Sequence, residues 1–316
     1  MRLLVTGHCG FIGQNFVKLY HKENEIIGID KMGYASDKSA ANLCNEHYEI
    51  DISRPDFEDV FESINDKHGP FDAIVNFAAE SHVDNSIEFP SVFIHSNIVG
   101  TFNLLEAARK HKIEKFLQIG TDEVYGDLQP GDLPFSNPHE MKPSSPYSAS
   151  KAAADLLALS YYKTYGMNVI VTRSCNNYGP HQYEEKFIPV IITKALNDQT
   201  IPVYGTGLNM REWIYVDDNC EGVMQALLKG RAGTAYNLGS GHEETNLNLV
   251  KMILSKVGKP DTLIEMVSDR KGHDFRYFLN SETSYQELDW KPKTNFSDGI
   301  RKTIDYYASK IKETGC

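Results

Sequence analysis

Cysteine pairs, long apolar runs and excess basic charge are all missing from this sequence. Its five cysteines (Cys9, Cys44, Cys175, Cys220 and Cys316) are odd in number, far apart and form no CxxC pair. A disulfide scaffold is therefore not expected, the thiols read as reduced, and no metal site is anticipated. No apolar run approaches the roughly 18 residues of a membrane-spanning helix. Only six residues precede Gly7, too few for a secretory leader. A cytoplasmic protein with no membrane partner is the expectation. Lys and Arg total 32 against 43 Asp and Glu, a net charge of −11, which argues against nucleic acid as a partner. Internal repeats, low-complexity runs and Pro-rich linkers are absent as well.

What is present suits an ordinary globular chain: 41% apolar, 24% charged, with 23 Gly and 13 Pro. Its 316 residues correspond to about two domains at roughly 150 residues each. Strands are expected over 2–6, 25–30, 47–51, 73–77, 115–120 and 168–172. Helices are expected over 57–66, around 90–110 and around 146–165. That alternation predicts an α/β fold with a parallel sheet covered on both faces. After residue 172 the rhythm breaks, with a helix expected over 187–197, a strand over 201–204 and helices near 246–256, 281–288 and 297–312. Residues 1–172 are therefore read as one domain, with a segment near 211–239 returning to it, and 173–316 mainly as a smaller α/β domain.

The first strand runs straight into Gly7-His8-Cys9-Gly10-Phe11-Ile12-Gly13 and then a helical pattern. Gly7 permits the tight turn, and Gly10 lets backbone approach a pyrophosphate. Gly13 lets the helix pack on the sheet with the phosphates at its N-terminus. A GxxGxxG string alone is weak; its place in the first strand–turn–helix unit gives it weight. The sheet is thus read as a Rossmann-type doubly wound sheet and 1–172 as a dinucleotide-binding domain. Asp30 ends the second strand, where an acid accepts ribose hydroxyls and repels a 2′-phosphate, so NAD is the expected cofactor. Asp51, followed by Ile52, is expected beside the adenine.

Tyr147 and Lys151 are four apart on an expected helix and share a face. A cation about 4 Å from a phenol, at an effective dielectric near 20, contributes about 4 kcal/mol, or roughly three pKa units. The expectation is that Lys151 lowers Tyr147 toward neutrality and makes it a base for oxidising an alcohol beside a nicotinamide.

These motifs, with Ala78-Ala-Glu-Ser-His-Val-Asp84, Thr121-Asp-Glu-Val-Tyr-Gly126, Asn176-Asn-Tyr-Gly-Pro180, Arg211-Glu-Trp-Ile-Tyr-Val216 and Gly272-His-Asp274, resemble the extended short-chain dehydrogenase/reductases. Within that superfamily the sequence is similar to the dTDP-glucose 4,6-dehydratases nearly end to end. The resemblance implies an NDP-glucose substrate, dTDP-glucose first and UDP-glucose next. It also implies oxidation at carbon 4, loss of water across carbons 5 and 6, and hydride return to carbon 6. Thr121 would orient the 4-oxygen, Glu123 act as base at carbon 5 and Asp122 as acid at the 6-hydroxyl. Adjacent side chains on a regular strand face opposite ways, so these three can meet one sugar only if the strand stops near Gly120.

By the same resemblance, Gly7, Gly10, Phe11, Ile12, Gly13, Asp30, Asp51, Ile52, Ala78, Tyr147 and Lys151 hold NAD. Ser81, Asn177, Lys186, Phe187, Pro202, Tyr204, Arg211, Asn246, Arg270 and His273 hold the sugar nucleotide, with arginine forks suited to its diphosphate. A homodimer is implied, built on the helices around 90–110 and 146–165, with Phe93, Ile94, Leu104, Leu156, Leu159 and Tyr162 as candidate apolar contacts. Five positions depart from the family pattern: His8 and Cys9 in place of small residues, Asn85 for Arg, Glu184 for Pro and Ser36 for Gly. The alternatives are a UDP-sugar 4-epimerase or decarboxylase, against which Asp122-Glu123 argues, and a non-catalytic NAD-binding regulator, against which the intact Tyr–Lys pair argues.

Overall fold

A computed structural model describes residues 1–269 and 272–314. The strands are β1 (Arg2–Thr6), β2 (Glu25–Asp30), β3 (Glu46–Glu49), β4 (Ala73–Asn76), β5 (Lys115–Thr121), β6 (Val169–Ser174), β7 (Asn176–Tyr178), β8 (Ile201–Tyr204), β9 (Met210–Tyr215), β10 (Thr234–Leu238), β11 (Glu243–Thr245), β12 (Ile264–Val267) and β13 (Arg276–Tyr277). The helices are α1 (Phe11–Tyr20), α2 (Phe57–His68), α3 (Val83–Glu88), α4 (Pro90–Phe93), α5 (Gly100–Lys110), α6 (Pro146–Tyr165), α7 (Phe187–Leu196), α8 (Val216–Lys229), α9 (Asn246–Val257), α10 (Glu282–Glu287) and α11 (Phe296–Thr314).

Seven strands form one sheet in the order β10-β6-β5-β4-β1-β2-β3, every pairing parallel. Both faces are buried, and the period of two sorts each strand into two cores. On β1, Leu3 and Val5 join Phe16 and Val17 of α1 and Val223 and Leu227 of α8. Leu4 between them joins Phe57 and Phe61 of α2, Leu104 and Leu105 of α5 and Ala158 of α6. This is the Rossmann-type doubly wound sheet that the alternation predicted.

The second half of the chain makes two small sheets, β11-β9-β13 with β7 also on β9, and β12-β8. These pack on α7, α9 and α11 around Ile191, Ile192, Trp213, Ile253 and Ile300. Of the stretch 211–239, β9 lies in a small sheet, α8 packs on α1, and β10 completes the large sheet beside β6.

One helix differs from expectation. The expected helix around 90–110 is broken into α4, a π-turn over Ile94–Val99 and α5. Asn97 in the π-turn leaves the helix surface to bond Glu80 through its backbone N–H (2.8 Å) and carbonyl (3.0 Å), and reaches Ser150 Oγ (2.8 Å). Such local widening is how a helix accommodates a side chain with a second task. Phe93 and Leu104 are corrected as candidate dimer contacts, because both are buried within the chain. Ile94, Leu156 and Tyr162 are exposed, and Leu159 is half-buried.

Candidate active site

The strand order reverses at β1, whose neighbours are β2 and β4, and a crevice opens at the carboxyl ends there. Gly7, Gly10, Phe11, Ile12 and Gly13 line it from the first turn, Asp30, Asp51 and Ile52 from the next two strand ends. Gly7 adopts φ +68°, and a Cβ there would lie 2.5 Å from the Ala78 amide nitrogen. A Cβ on Gly13 would lie 2.3 Å from the Gly7 carbonyl oxygen. The turn is therefore a bare-backbone cradle that no other residue type can form, as a pyrophosphate site requires.

Asp30 is buried, and its carboxylate already accepts the amides of Met32 (2.8 Å) and Cys9 (3.0 Å) and the Ser36 hydroxyl (3.0 Å). It shapes the turn as well as facing the crevice. Asp51 caps its own turn through the Ser53 amide (2.8 Å).

Across the crevice stand Ala78, Ser81, Ile119, Gly120, Tyr147 and Lys151. The last two come from α6, started by a reciprocal Ser145–Ser148 capping box and Pro146 in its first turn. β5 extends one residue beyond expectation, to Thr121, and Asp122–Tyr125 then wind into a 3₁₀ turn. Leaving the strand there releases Asp122 and Glu123 from its alternation. Both carboxyl groups act on the Tyr147 phenol, which is hydrogen-bonded to Thr121.

Asp122 is fully buried; Oδ1 accepts the Thr121 hydroxyl (3.2 Å) and Oδ2 has no partner. Burial first, then the charges of Glu123 and Glu212, raise it well above the usual carboxylate range. These surroundings favour its protonated form.

The expected lowering of Tyr147 by Lys151 is corrected. Burial and then the Glu123 charge push the phenol up, and Lys151 Nζ is committed to the Ile119 carbonyl at 2.5 Å. Burial lowers Lys151, opposed by Asp155.

The expected substrate residues divide into two groups. Ser81 and Lys186 line the crevice and meet through the Lys186 ammonium and the Ser81 carbonyl (3.1 Å). Asn177, Phe187, Pro202, Tyr204, Arg211, Asn246 and His273 are not among its lining residues. The Arg211 guanidinium is buried against Tyr277 and donates to the carbonyls of Met210, Asp274 and Phe275. Tyr204 and His273 face each other, with His273 bonded to Asp269 at 2.6 Å. Arg270 lies outside the described residues.

Sequence reasoning missed Asp155 and Glu212. Asp155 is fully buried, forms an ion pair with Arg173 (2.9 Å) and acts on Lys151. A Cβ on Gly120 would lie 2.9 Å from its carboxylate, so Gly120 makes room for it. Its signal was legible: Tyr147, Lys151 and Asp155 recur every four residues along one helix. Glu212 sits behind Asp122 and accepts the amides of Gly241 (2.7 Å) and Leu279 (3.0 Å).

Residues 4–303 match the family model described as GDP-mannose 4,6 dehydratase. The chain belongs to that family. Among relatives of this GDP-mannose 4,6 dehydratase family member, a dTDP-glucose 4,6-dehydratase of Actinoplanes sp. is 42% identical over 97% of this chain and 98% of its own. The low-salt glycan biosynthesis protein Agl12 of Haloferax volcanii is 44% identical over the same shares. DesIV, a dTDP-glucose 4,6-dehydratase of Streptomyces venezuelae solved with NAD bound, superposes with a TM-score of 0.93 at 39% identity, covering 99% of this chain and 98% of that one.

Proposed function

We propose that this protein is an NAD-dependent nucleotide-sugar 4,6-dehydratase that converts dTDP-glucose, or less readily UDP-glucose, to the NDP-4-keto-6-deoxy sugar. The observation that carries the reading is Asp122, a buried carboxyl with an unpartnered oxygen and raised well above the usual carboxylate range, directly before Glu123 and acting with it on Tyr147. An elimination needs an acid for the leaving hydroxyl and a base for the carbon proton. The relatives' names support dTDP as the nucleotide.

Gly7, Gly10 and Gly13 hold the cofactor's pyrophosphate, and Asp30 and Asp51 its adenosine, with Phe11, Ile12, Ile52 and Ala78 as walls. NAD, when bound, supplies a positively charged ring that accepts hydride from carbon 4 and later returns it to carbon 6. Thr121 Oγ1 orients the 4-hydroxyl, and Tyr147 Oη takes its proton once positive charge offsets the burial and Glu123 that push the phenol up; bound NAD would supply that charge, with Lys151 turned from the Ile119 carbonyl. Glu123 removes the proton at carbon 5, made acidic by the new ketone. Asp122 protonates the 6-hydroxyl, which leaves as water. Residues 1–172 thus carry the cofactor, while 173–316, with Lys186, Arg211, Tyr204 and His273, carry the nucleotide diphosphate.

The exposed apolar faces of α5 and α6, with Phe102, Leu156 and Tyr162, support a homodimer. The described cysteines are unpaired, which fits the reducing cytoplasm.

The test is incubation of the protein with dTDP-glucose and UDP-glucose separately, without reductant, followed by mass spectrometry. Loss of one water, faster with dTDP-glucose, is expected, together with its abolition by Glu123→Gln. Unchanged mass with altered sugar configuration would replace this reading with an epimerase.

A further inference from the structure

Behind the nucleotide turn, the two residues that depart from its usual small side chains meet a third from a neighbouring strand. His8 Nε2 lies 3.0 Å from His47 Nδ1 and 3.3 Å from Cys9 Sγ, and the three atoms all fall within 4.8 Å of one another. None of the three residues lines the crevice. His8 and Cys9 are fully buried, and His47 on β3 is half-buried.

Hydrogen bonding alone serves this group poorly. Nε2 of a neutral imidazole carries either one proton or one lone pair, so His8 satisfies one of its two neighbours at a time. Its other nitrogen, Nδ1, is buried without a well-formed hydrogen bond, and the ring's further polar contact is with the Ile29 backbone.

A borderline-soft cation would satisfy all three atoms together. Zinc binds imidazole nitrogen at about 2.0–2.1 Å and thiolate sulfur at about 2.3 Å, which in tetrahedral geometry spaces the donors about 3.3–3.6 Å apart. The two short separations here are within a few tenths of that spacing. Asp30 adds the negative potential that a dication favours: it accepts the Cys9 amide at 3.0 Å, and its charge reaches both Cys9 and His8. The strand is also adapted to the ring. Gly28 on β2 pairs with His47, and a Cβ there would lie 2.6 Å from the His8 imidazole.

We propose that His8, Cys9 and His47 bind one zinc-class divalent cation that ties β3 to the nucleotide turn, with a fourth position for solvent. The inference is independent of the dehydratase reading. Positions 8, 9 and 47 match no metal-motif spacing, which is why none was anticipated; the β2–β3 pairing brings them together. On binding, Cys9 Sγ gives its proton to solvent and its electron pair to the cation. Because the thiol must lose that proton to ligate, affinity rises with pH.

The test is titration of tag-free, metal-stripped full-length protein with Co²⁺. One equivalent is expected to produce a near-ultraviolet thiolate-to-cobalt band and the visible bands of a tetrahedral site, both bleached by Zn²⁺. Cys9→Ser should abolish the thiolate band, His47→Gln should weaken binding by more than about tenfold, and Cys44→Ser should change neither. Zn²⁺ should also raise the Tm of the unmodified chain and leave that of His47→Gln where it was. A band that never saturates at one equivalent, survives Cys9→Ser or disappears in Cys44→Ser would overturn the proposal.

Discussion

Asp122 and Glu123 are adjacent in the chain yet meet different surroundings. The first is sealed among Thr121, Glu123 and Glu212, and the second is half-buried. Because burial and the neighbouring carboxyl groups favour the protonated form of Asp122, Asp122→Asn keeps the shape of the group and removes its transferable proton. We expect kcat to fall by about 10²–10⁴ with Tm nearly unchanged, measured by turnover and calorimetry on the same preparation. Glu212 offers a pH test, since burial pushes its carboxyl from 4.5 to about 7. A folded value above the unfolded one gives a contribution complete below pH 4.5 and lost as pH rises through about 7. The loss is on the order of 3 kcal/mol. Tm should therefore decline between pH 5 and 8, and Glu212→Gln should flatten that decline; equal slopes would refute the assignment. At this scale the sequence revealed Tyr147, Lys151 and the acid pair through their spacing. It hid the committed partners of Lys151 and Arg211, because a backbone carbonyl carries no letter in the sequence.

α6 shows what an element contributes to the site. Its capping box and the αL Gly166 at its end (φ +68°) set its ends, and both were legible as Ser-Pro and Tyr-Gly. Ser145→Ala should cost about 1 kcal/mol and lower Tm, with NAD affinity little changed. Gly13→Ala should do more, since its Cβ would sit 2.3 Å from the Gly7 carbonyl and force α1 off the turn. Loss of NAD binding by more than about tenfold, a 1.4 kcal/mol effect, is expected by titration calorimetry. The break in the expected helix around 90–110 was not legible, because it depends on Asn97 reaching Glu80 and Ser150. Those are contacts made only after the sheet has assembled.

For the whole molecule, the alternation of strands and helices was enough to give the large sheet, since burial on both faces leaves continuous apolar strands. Assembly beyond the chain is testable at Leu156, which is 57% exposed on α6. Leu156→Glu should convert a particle of twice the chain mass into one of single mass by light scattering, while the isolated chain retains its fold by circular dichroism.

The place of β10 bears on how the protein is made. Val169, Ile170 and Val171 of β6 are fully buried in the finished sheet, where β10 covers the strand's outer edge. A ribosome delivers β6 well before β10, with the whole stretch 175–233 still to come. At about 5–20 residues per second, that leaves β6 with an open parallel edge for several seconds. Such an edge recruits neighbouring chains. The hazard of aggregation therefore belongs to the half-synthesised polypeptide, and faster translation through 175–233 would shorten it.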